Sequence, residues 1–402
     1  MVNRFLNNRL YILYLLPFLL GSLTVLSFQP FNFTIINLII FPVFFYLVCY
    51  INKKSKFVYR KKPYRKNFFI FGLIFGFGFY LSGTSWIVNS LTFDSNFKPL
   101  IPIALILIPL FLSLFLGLTI LMVGPYLKLN FSSLLLFSAA IALSDYMRSK
   151  LFTGFPWNLW AYSTSWLGEI SQILNILGLY SYNLLIITLF ALPCVFFFKL
   201  SKTKSLLFFI FLILIILSLN IFGNYEINKN KKFLKSNNNK ILVKIVSPNF
   251  DLKYGLSENE IEDRFKSLAR YSEPDKNKRT LFVWPEGIFS GYSYEEIIKY
   301  KEVIQKNFSK NHLIVFGINK KDENTNNFFN SMLVVNNELE IIQRYDKIKL
   351  VPFGEFLPFE KFLNSFGLKK ITEGHGSFLK GNSNNNLLIE KLNILPLICY
   401  EI

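Results

Sequence analysis

Seven runs of apolar residues dominate the first 222 positions. They are Leu10–Phe28, Asn32–Tyr50, Phe68–Leu91, Leu100–Leu127, Phe131–Asp145, Ile173–Phe198 and Ser205–Phe222. A hydrocarbon core of about 30 Å takes roughly 20 residues of helix, so each run reads as a membrane span. The fifth is the shortest and ends in Asp145, with Arg148 just beyond. A run of this length favours insertion by about 5–10 kcal/mol, and seven such runs are hard to bury in a soluble fold. The first run lacks a small-residue cleavage site before the next one, which argues for a span rather than a secretory signal peptide.

The pattern changes after Phe222. Asn224 to Lys240 is polar and rich in Asn and Lys, and reads as a linker. Ile241–Val246, Thr280–Trp284, His312–Ile318, Asn330–Val335 and Leu339–Arg344 have the length and composition of strands. Ile394–Ile398 is a further strand candidate, weakened by Pro396, which has no N–H to donate. Glu258–Tyr271 and Tyr294–Asn307 have helical spacing. Strands alternating with helices, then a run of strands, predict a layered α/β domain. The expected organisation is therefore a polytopic α-helical membrane domain over 1–223 with about seven transmembrane helices, followed by an α/β domain over 224–402.

Charge placement supports two solvents and gives an orientation. Before residue 224 the acids are Asp94, Asp145 and Glu169 alone; beyond it acids and bases intermix as on a soluble surface. The net charge of +19 could suggest a nucleic-acid partner. Much of the excess lies instead in short segments between apolar runs: Arg4 and Arg9; Lys53, Lys54, Lys56, Arg60, Lys61, Lys62, Arg65 and Lys66; Lys128; Lys199, Lys202 and Lys204. With seven spans all of these fall on one side, the cytoplasmic one, and the C-terminal domain is delivered to the outer side. Lys98, Arg148 and Lys150 run against that rule, with Asp94 and Asp145 partly offsetting them.

Cys49 and Cys194 lie within apolar runs and read as small buried hydrophobes. The spacing of the three cysteines gives neither a disulfide framework nor a metal knuckle. The loop Thr153–Ser163, with Gly154-Phe155-Pro156-Trp157 at its core, reads either as an aromatic belt at the membrane surface or as a segment shaping where lipid enters. Three residues of the C-terminal half invite chemistry. Glu286 follows a strand and Trp284-Pro285, a corner where desolvation makes a carboxylate a better base. Lys347 can set fixed positive charge beside an oxyanion. Cys399 ends an apolar strand candidate, where a neighbouring base can activate a thiol. Taken alone, such residues are more often a surface acid, a solvated basic loop and buried filler, respectively.

Taken together, Glu286, Lys347 and Cys399 in this chain order resemble the nitrilase (carbon–nitrogen hydrolase) superfamily. The closer resemblance is to the apolipoprotein N-acyltransferase family. Its soluble signatures look like Trp284-Pro285-Glu286, like the string from Tyr345 to Pro358 (YDKIKLVPFGEFLP), and like Ile398-Cys399-Tyr400-Glu401-Ile402. Its membrane half resembles Gly78–Leu91, with Gly83 and Trp86, and Thr153–Ser163.

The resemblance implies a nitrilase-like αββα sandwich for the second domain, on the periplasmic side of the bacterial inner membrane. It implies Glu286 as general base, Lys347 as oxyanion stabiliser and Cys399 as nucleophile, with Glu355, Tyr400 and Glu401 in support. The implied reaction moves an acyl chain from a phospholipid, through a thioester, to the N-terminal amine of a diacylglyceryl apolipoprotein. No metal or redox cofactor is implied. Three features depart from the family pattern. Lys349 stands where the family commonly has His and is a rival cation. Tyr254 takes the place of a Trp. The chain ends at Ile402, so the domain is expected to be incomplete at its C-terminus and the sequence to be a fragment. Competing readings are a membrane-tethered nitrilase-type amidase with a soluble substrate, and a transporter or scaffold with an accessory domain.

Overall fold

A computed structural model describes residues 9–58, 64–92, 95–198, 201–236, 241–251, 253, 255–352, 354–356, 377–382, 386–389, 392–399 and 401. Arg4, Arg60, Lys61, Lys62, Asp94, Lys199, Tyr254, Phe353, Leu357, Pro358, Tyr400 and Ile402, invoked above, lie outside the described residues. The chain divides into two compact units, Met1–Ser236 and Asn237–Ile402.

In the first unit every apolar run forms helix. Among the described residues, five helical stretches are long and apolar enough to cross a membrane: Thr34–Lys54, Tyr64–Thr92, Phe97–Tyr126, Leu179–Phe197 and Thr203–Leu234. A shorter apolar helix covers Tyr11–Ser27. The unit is a multi-pass membrane domain. Its helices approach backbone to backbone at small residues: a Cβ added to Gly21 would lie 2.0 Å from the Phe75 carbonyl oxygen, and one on Gly72 2.6 Å from that of Leu116. Such contact is how helices associate where lipid gives no hydrophobic drive.

Two expectations change here. The helix from Phe131 does not stop at Asp145 but runs to Lys150. Asp145 and Arg148 lie one turn apart and pair at 3.0 Å, exposed by only 2% and 1%, and the Asn183 amide donates to the other Asp145 oxygen at 2.9 Å. The two charges neutralise each other inside the bundle, so the helix carries them. The last helix is one piece, Lys202–Ser236, of 35 residues. At 1.5 Å per residue it is about 52 Å long, well beyond the hydrocarbon core. The polar stretch expected as a linker is thus helical from Asn224 to Ser236.

The Gly154–Trp157 loop is fixed from beneath. Arg148 donates to the carbonyls of Phe155 and of Trp157, the latter at 2.7 Å. Gly154 has φ +81°, and an added Cβ would meet the Ser149 carbonyl oxygen at 2.2 Å. Trp160 is buried, stacked on Phe79 at 4.5 Å. Trp157 stays exposed and packs on exposed Trp86 at 5.0 Å.

Among its described residues, the second unit is built on a five-stranded sheet whose strands lie side by side in chain order. The strands are β1 Leu242–Ile245, β2 Thr280–Val283, β3 His312–Lys321, β4 Phe328–Val335 and β5 Ile341–Asp346. β1, β2 and β3 run parallel; β4 and β5 are antiparallel to their neighbours. Side chains alternate between the faces. Phe282, Ile314, Phe316, Leu333 and Val335 pack in one cluster with Ile261, Phe265 and Leu268 of the Glu258–Ser272 helix. A Ser257–Glu260 capping box opens that helix. Leu281, Val315, Val334 and Tyr345 face the other way and pack with Leu387, Ile389 and Ile398.

Tyr294–Asn307 is not one helix: a short turn at Ile298–Tyr300 separates Tyr294–Ile297 from Lys301–Asn307. Nor is Ile394–Ile398 a strand. The strands there are β6 Leu387–Ile389 and β7 Leu392–Ile394, a hairpin. From Leu395 the chain is irregular, as Pro396 requires of a segment that cannot complete a ladder.

Candidate active site

The strand directions gather the candidate residues at one end of the sheet. β2, β3 and β5 all point their C-terminal ends the same way, and β4 begins there. Glu286 lies three residues beyond β2, and Lys347 follows β5 directly. Lys347 N–H donates to the Asn330 carbonyl at 2.9 Å, extending the β4–β5 ladder by one pair. Parity then puts Lys347 on the face of Tyr345, and Asn330 on the face of Val334, which is the face that packs Ile398.

Lys347 is 1% exposed, and its ammonium bonds the Glu355 carboxylate at 2.9 Å. The Glu355 oxygens also accept from the Asn330 amide at 2.7 Å and from Val351 N–H at 2.8 Å. A buried cation in this setting needs just such a hydrogen-bonded counter-charge. Of the two rival lysines, Lys347 is the buried one; Lys349 is half-buried, and its backbone N–H goes to Glu401.

Glu286 lies against Gly317 of β3, where an added Cβ would stand 3.6 Å from the Glu286 Cγ. The carboxylate is open to solvent on one side. The protein packed around the rest displaces water and raises its pKa above the ordinary glutamate value; Lys347 pulls it down, while Glu355 and Glu401 add to the rise. A base for a thiol proton gains from such a rise, since efficiency improves as the pKa nears the working pH.

Cys399 is exposed and takes φ +59°, a left-handed conformation that costs a non-glycine residue about 1 kcal/mol or more. Glu401 holds that turn in place. One carboxylate oxygen accepts from Ile348 N–H at 2.7 Å and Lys349 N–H at 2.8 Å. The other accepts from the Tyr345 hydroxyl at 2.9 Å and Ile398 N–H at 3.1 Å. A single side chain thus ties the turn bearing Cys399 to the loop that follows Lys347. Burial and this carboxylate push the Tyr345 phenol up to about 12.

The structure therefore brings Glu286, Lys347, Glu355 and Glu401 into one electrostatic neighbourhood and anchors Cys399 to it through Glu401. Sequence reasoning missed two contributors. Asn330 carries no motif, though polar Asn330-Ser331 inside an apolar strand was a signal. Gly317, between Phe316 and Ile318, is the strand residue against which Glu286 packs at ordinary contact distance. Among the described residues, no three His, Cys, Asp or Glu side chains are grouped to hold a metal ion.

Residues 20–192 match the family model described as the apolipoprotein N-acyltransferase N-terminal domain. The chain is similar to the apolipoprotein N-acyltransferase of Rhodopseudomonas palustris, 26% identical over 398 residues, 95% of this chain and 72% of that one. It is similar to that of Brucella melitensis, 27% identical over 399 residues, 96% and 73%. A crystal structure of an N-terminal amidase with an Asn-Glu-Ala peptide aligns at 20% identity over 27% of this chain and 28% of its own, with a TM-score of 0.21.

Proposed function

We infer that this chain, which belongs to the apolipoprotein N-acyltransferase family, N-acylates the lipid-modified N-terminal cysteine of apolipoproteins. One observation carries the reading: the similarity runs through the membrane domain and the α/β unit alike, over 95% of the chain. A tethered amidase with a soluble substrate would need an anchor but not several spans or the Gly154–Trp157 segment, and that reading is not favoured.

In the proposed mechanism Glu286 takes the Cys399 thiol proton. The thiolate attacks the sn-1 ester carbonyl of a phospholipid, and charge collects on the carbonyl oxygen. Lys347, fixed by Glu355, supplies positive charge there, joined by the backbone N–H of Tyr400 as the family resemblance implies. The C–O bond breaks, Glu286 returns the proton to the departing oxygen, and a lysophospholipid leaves a thioester on Cys399. The α-amine of the diacylglyceryl-cysteine then attacks the thioester, Glu286 accepts its proton, and the C–S bond breaks to give the amide and the thiol. A free thiol near pKa 8.5 is mostly protonated at neutral pH, so a base is needed. The amine must also outcompete water, which favours a site shielded from solvent. The raised pKa of Glu286 and the buried Lys347–Glu355 pair support these roles.

The domain is proposed to lie over residues 224–402 on the outer side of the bacterial inner membrane, as the basic segments between spans favour. The test supplies purified full-length protein with phospholipid and a diacylglyceryl-cysteine peptide. The expected result is a peptide heavier by one acyl chain, with one lysophospholipid per product, abolished in Cys399→Ala. Ammonia released from soluble amides without any N-acyl product would overturn the reading.

A further inference from the structure

We propose that Asn330 is a positioning residue for this reaction, holding both halves of the Lys347–Glu355 pair and thereby aiming the lysine ammonium. The proposal rests on the acyl-transfer reading above. Asn330 is the residue of β4 that faces Lys347 across the ladder. Its carbonyl accepts the Lys347 N–H at 2.9 Å, and its side-chain nitrogen donates to Glu355 Oε1 at 2.7 Å. The same oxygen accepts from Lys347 Nζ at 2.9 Å. A carboxylate only accepts, so the amide must present its nitrogen there. One residue therefore fixes the backbone from which the lysine springs and the counter-charge on which it ends.

The arrangement matters because Glu355 sits eight residues after Lys347, on an irregular segment rather than on the sheet. Val351 N–H tethers one of its oxygens from within that segment. Among the bonds described, the Asn330 amide is the one that ties the carboxylate to a strand. Charged groups stabilise a transition state only when pre-aimed, because reorganisation at the moment of reaction cancels the gain. Asn330 supplies the rigid reference. It makes no step of the chemistry itself, so its loss alters the rate of turnover rather than the binding of lipid or peptide.

The test measures kcat and KM for acyl transfer by the full-length protein with Asn330→Ala, with isosteric Asn330→Asp, and with Asn330→Ala added to Glu355→Gln. Unfolding midpoints are read in parallel, and Asn330→Asp carries the comparison if the alanine variant does not fold. Expected is a fall in kcat of about tenfold to a hundredfold with KM within about twofold. Asn330→Asp should fall further, since it faces one carboxylate with another. In the Glu355→Gln background, Asn330→Ala should cost little more, because residues acting through one partner are not additive. Wild-type kcat in both single variants, or losses that simply multiply in the double variant, overturns the proposal while leaving the acyl-transfer reading intact. Wild-type protein that makes no N-acyl product overturns that reading and this proposal with it.

Discussion

Replacing Glu355 by Ala should unfold the C-terminal unit far more readily than any surface change. The perturbation removes the carboxylate that a 1%-exposed lysine bonds at 2.9 Å, and leaves the Asn330 amide and the Val351 N–H without their acceptor. Breaking a buried ion pair by deleting one partner costs about 3–5 kcal/mol. The lower end applies here, because Glu286 stands in the field of the same lysine and takes up part of the lost attraction. A loss of about 3 kcal/mol is roughly two decades in the folding equilibrium. With a urea dependence of about 2 kcal/mol per molar, the midpoint should fall by about 1.5 M. Pulse proteolysis of full-length protein in detergent, read as survival of the C-terminal unit across a urea series, measures it. Removing Lys347 as well, by Lys347→Met, should recover stability relative to Glu355→Ala, since no buried charge is then left over. A midpoint unmoved by Glu355→Ala would refute the reasoning, because it would mean that the lysine never depended on this carboxylate.

Glu286→Gln should abolish acyl transfer yet raise the unfolding midpoint at neutral pH. The folded-state pKa of Glu286 is raised, so as pH climbs from the ordinary glutamate value to the raised one the native state holds a proton the unfolded chain has released, and stability falls. The variant's advantage should vanish below about pH 4, where both states are protonated, and a midpoint difference independent of pH would contradict the assignment. Tyr345→Phe removes one of four donors to Glu401 and should cost about 1.5 kcal/mol, the low end for a bond to a charged group, in the same urea series. Asp145→Ala leaves Arg148 buried without its carboxylate and should cost about 3–5 kcal/mol, read as lower thermal stability of the membrane domain in detergent; an unchanged melting curve would count against the pair.

The legible parts of this chain were those with one dominant signal. Uninterrupted apolar length marked Asn32–Tyr50 and Leu100–Leu127 as helices, because the hydrocarbon core selects on length and composition alone. Short, mostly apolar runs of strand length marked Thr280–Trp284 and His312–Ile318 as strands. The errors fall where a distant partner decides. Asp145 looked like a stop because its neutralising contacts, Arg148 and Asn183, include one 38 residues away. Asn224–Ser236 looked like a linker because exposed polar helix has no apolar stripe to read. Pro396 did warn against a strand at Ile394–Ile398. At the candidate site, Glu286, Lys347 and Cys399 were visible through their chain order, whereas Asn330 was not. Its value lies in the strand register that sets it opposite Lys347, and register is a property of two strands rather than of one segment.

The central claim is that Cys399 carries the acyl chain between lipid and peptide. The direct measurement incubates the full-length protein with phospholipid alone, digests it, and weighs the peptide containing Cys399. The account predicts a mass increase of one acyl chain on that peptide, removed by hydroxylamine as a thioester is, and discharged when diacylglyceryl-cysteine peptide is added. An unmodified Cys399 peptide in a preparation that still makes N-acyl product, or full transfer by Cys399→Ala, would contradict it.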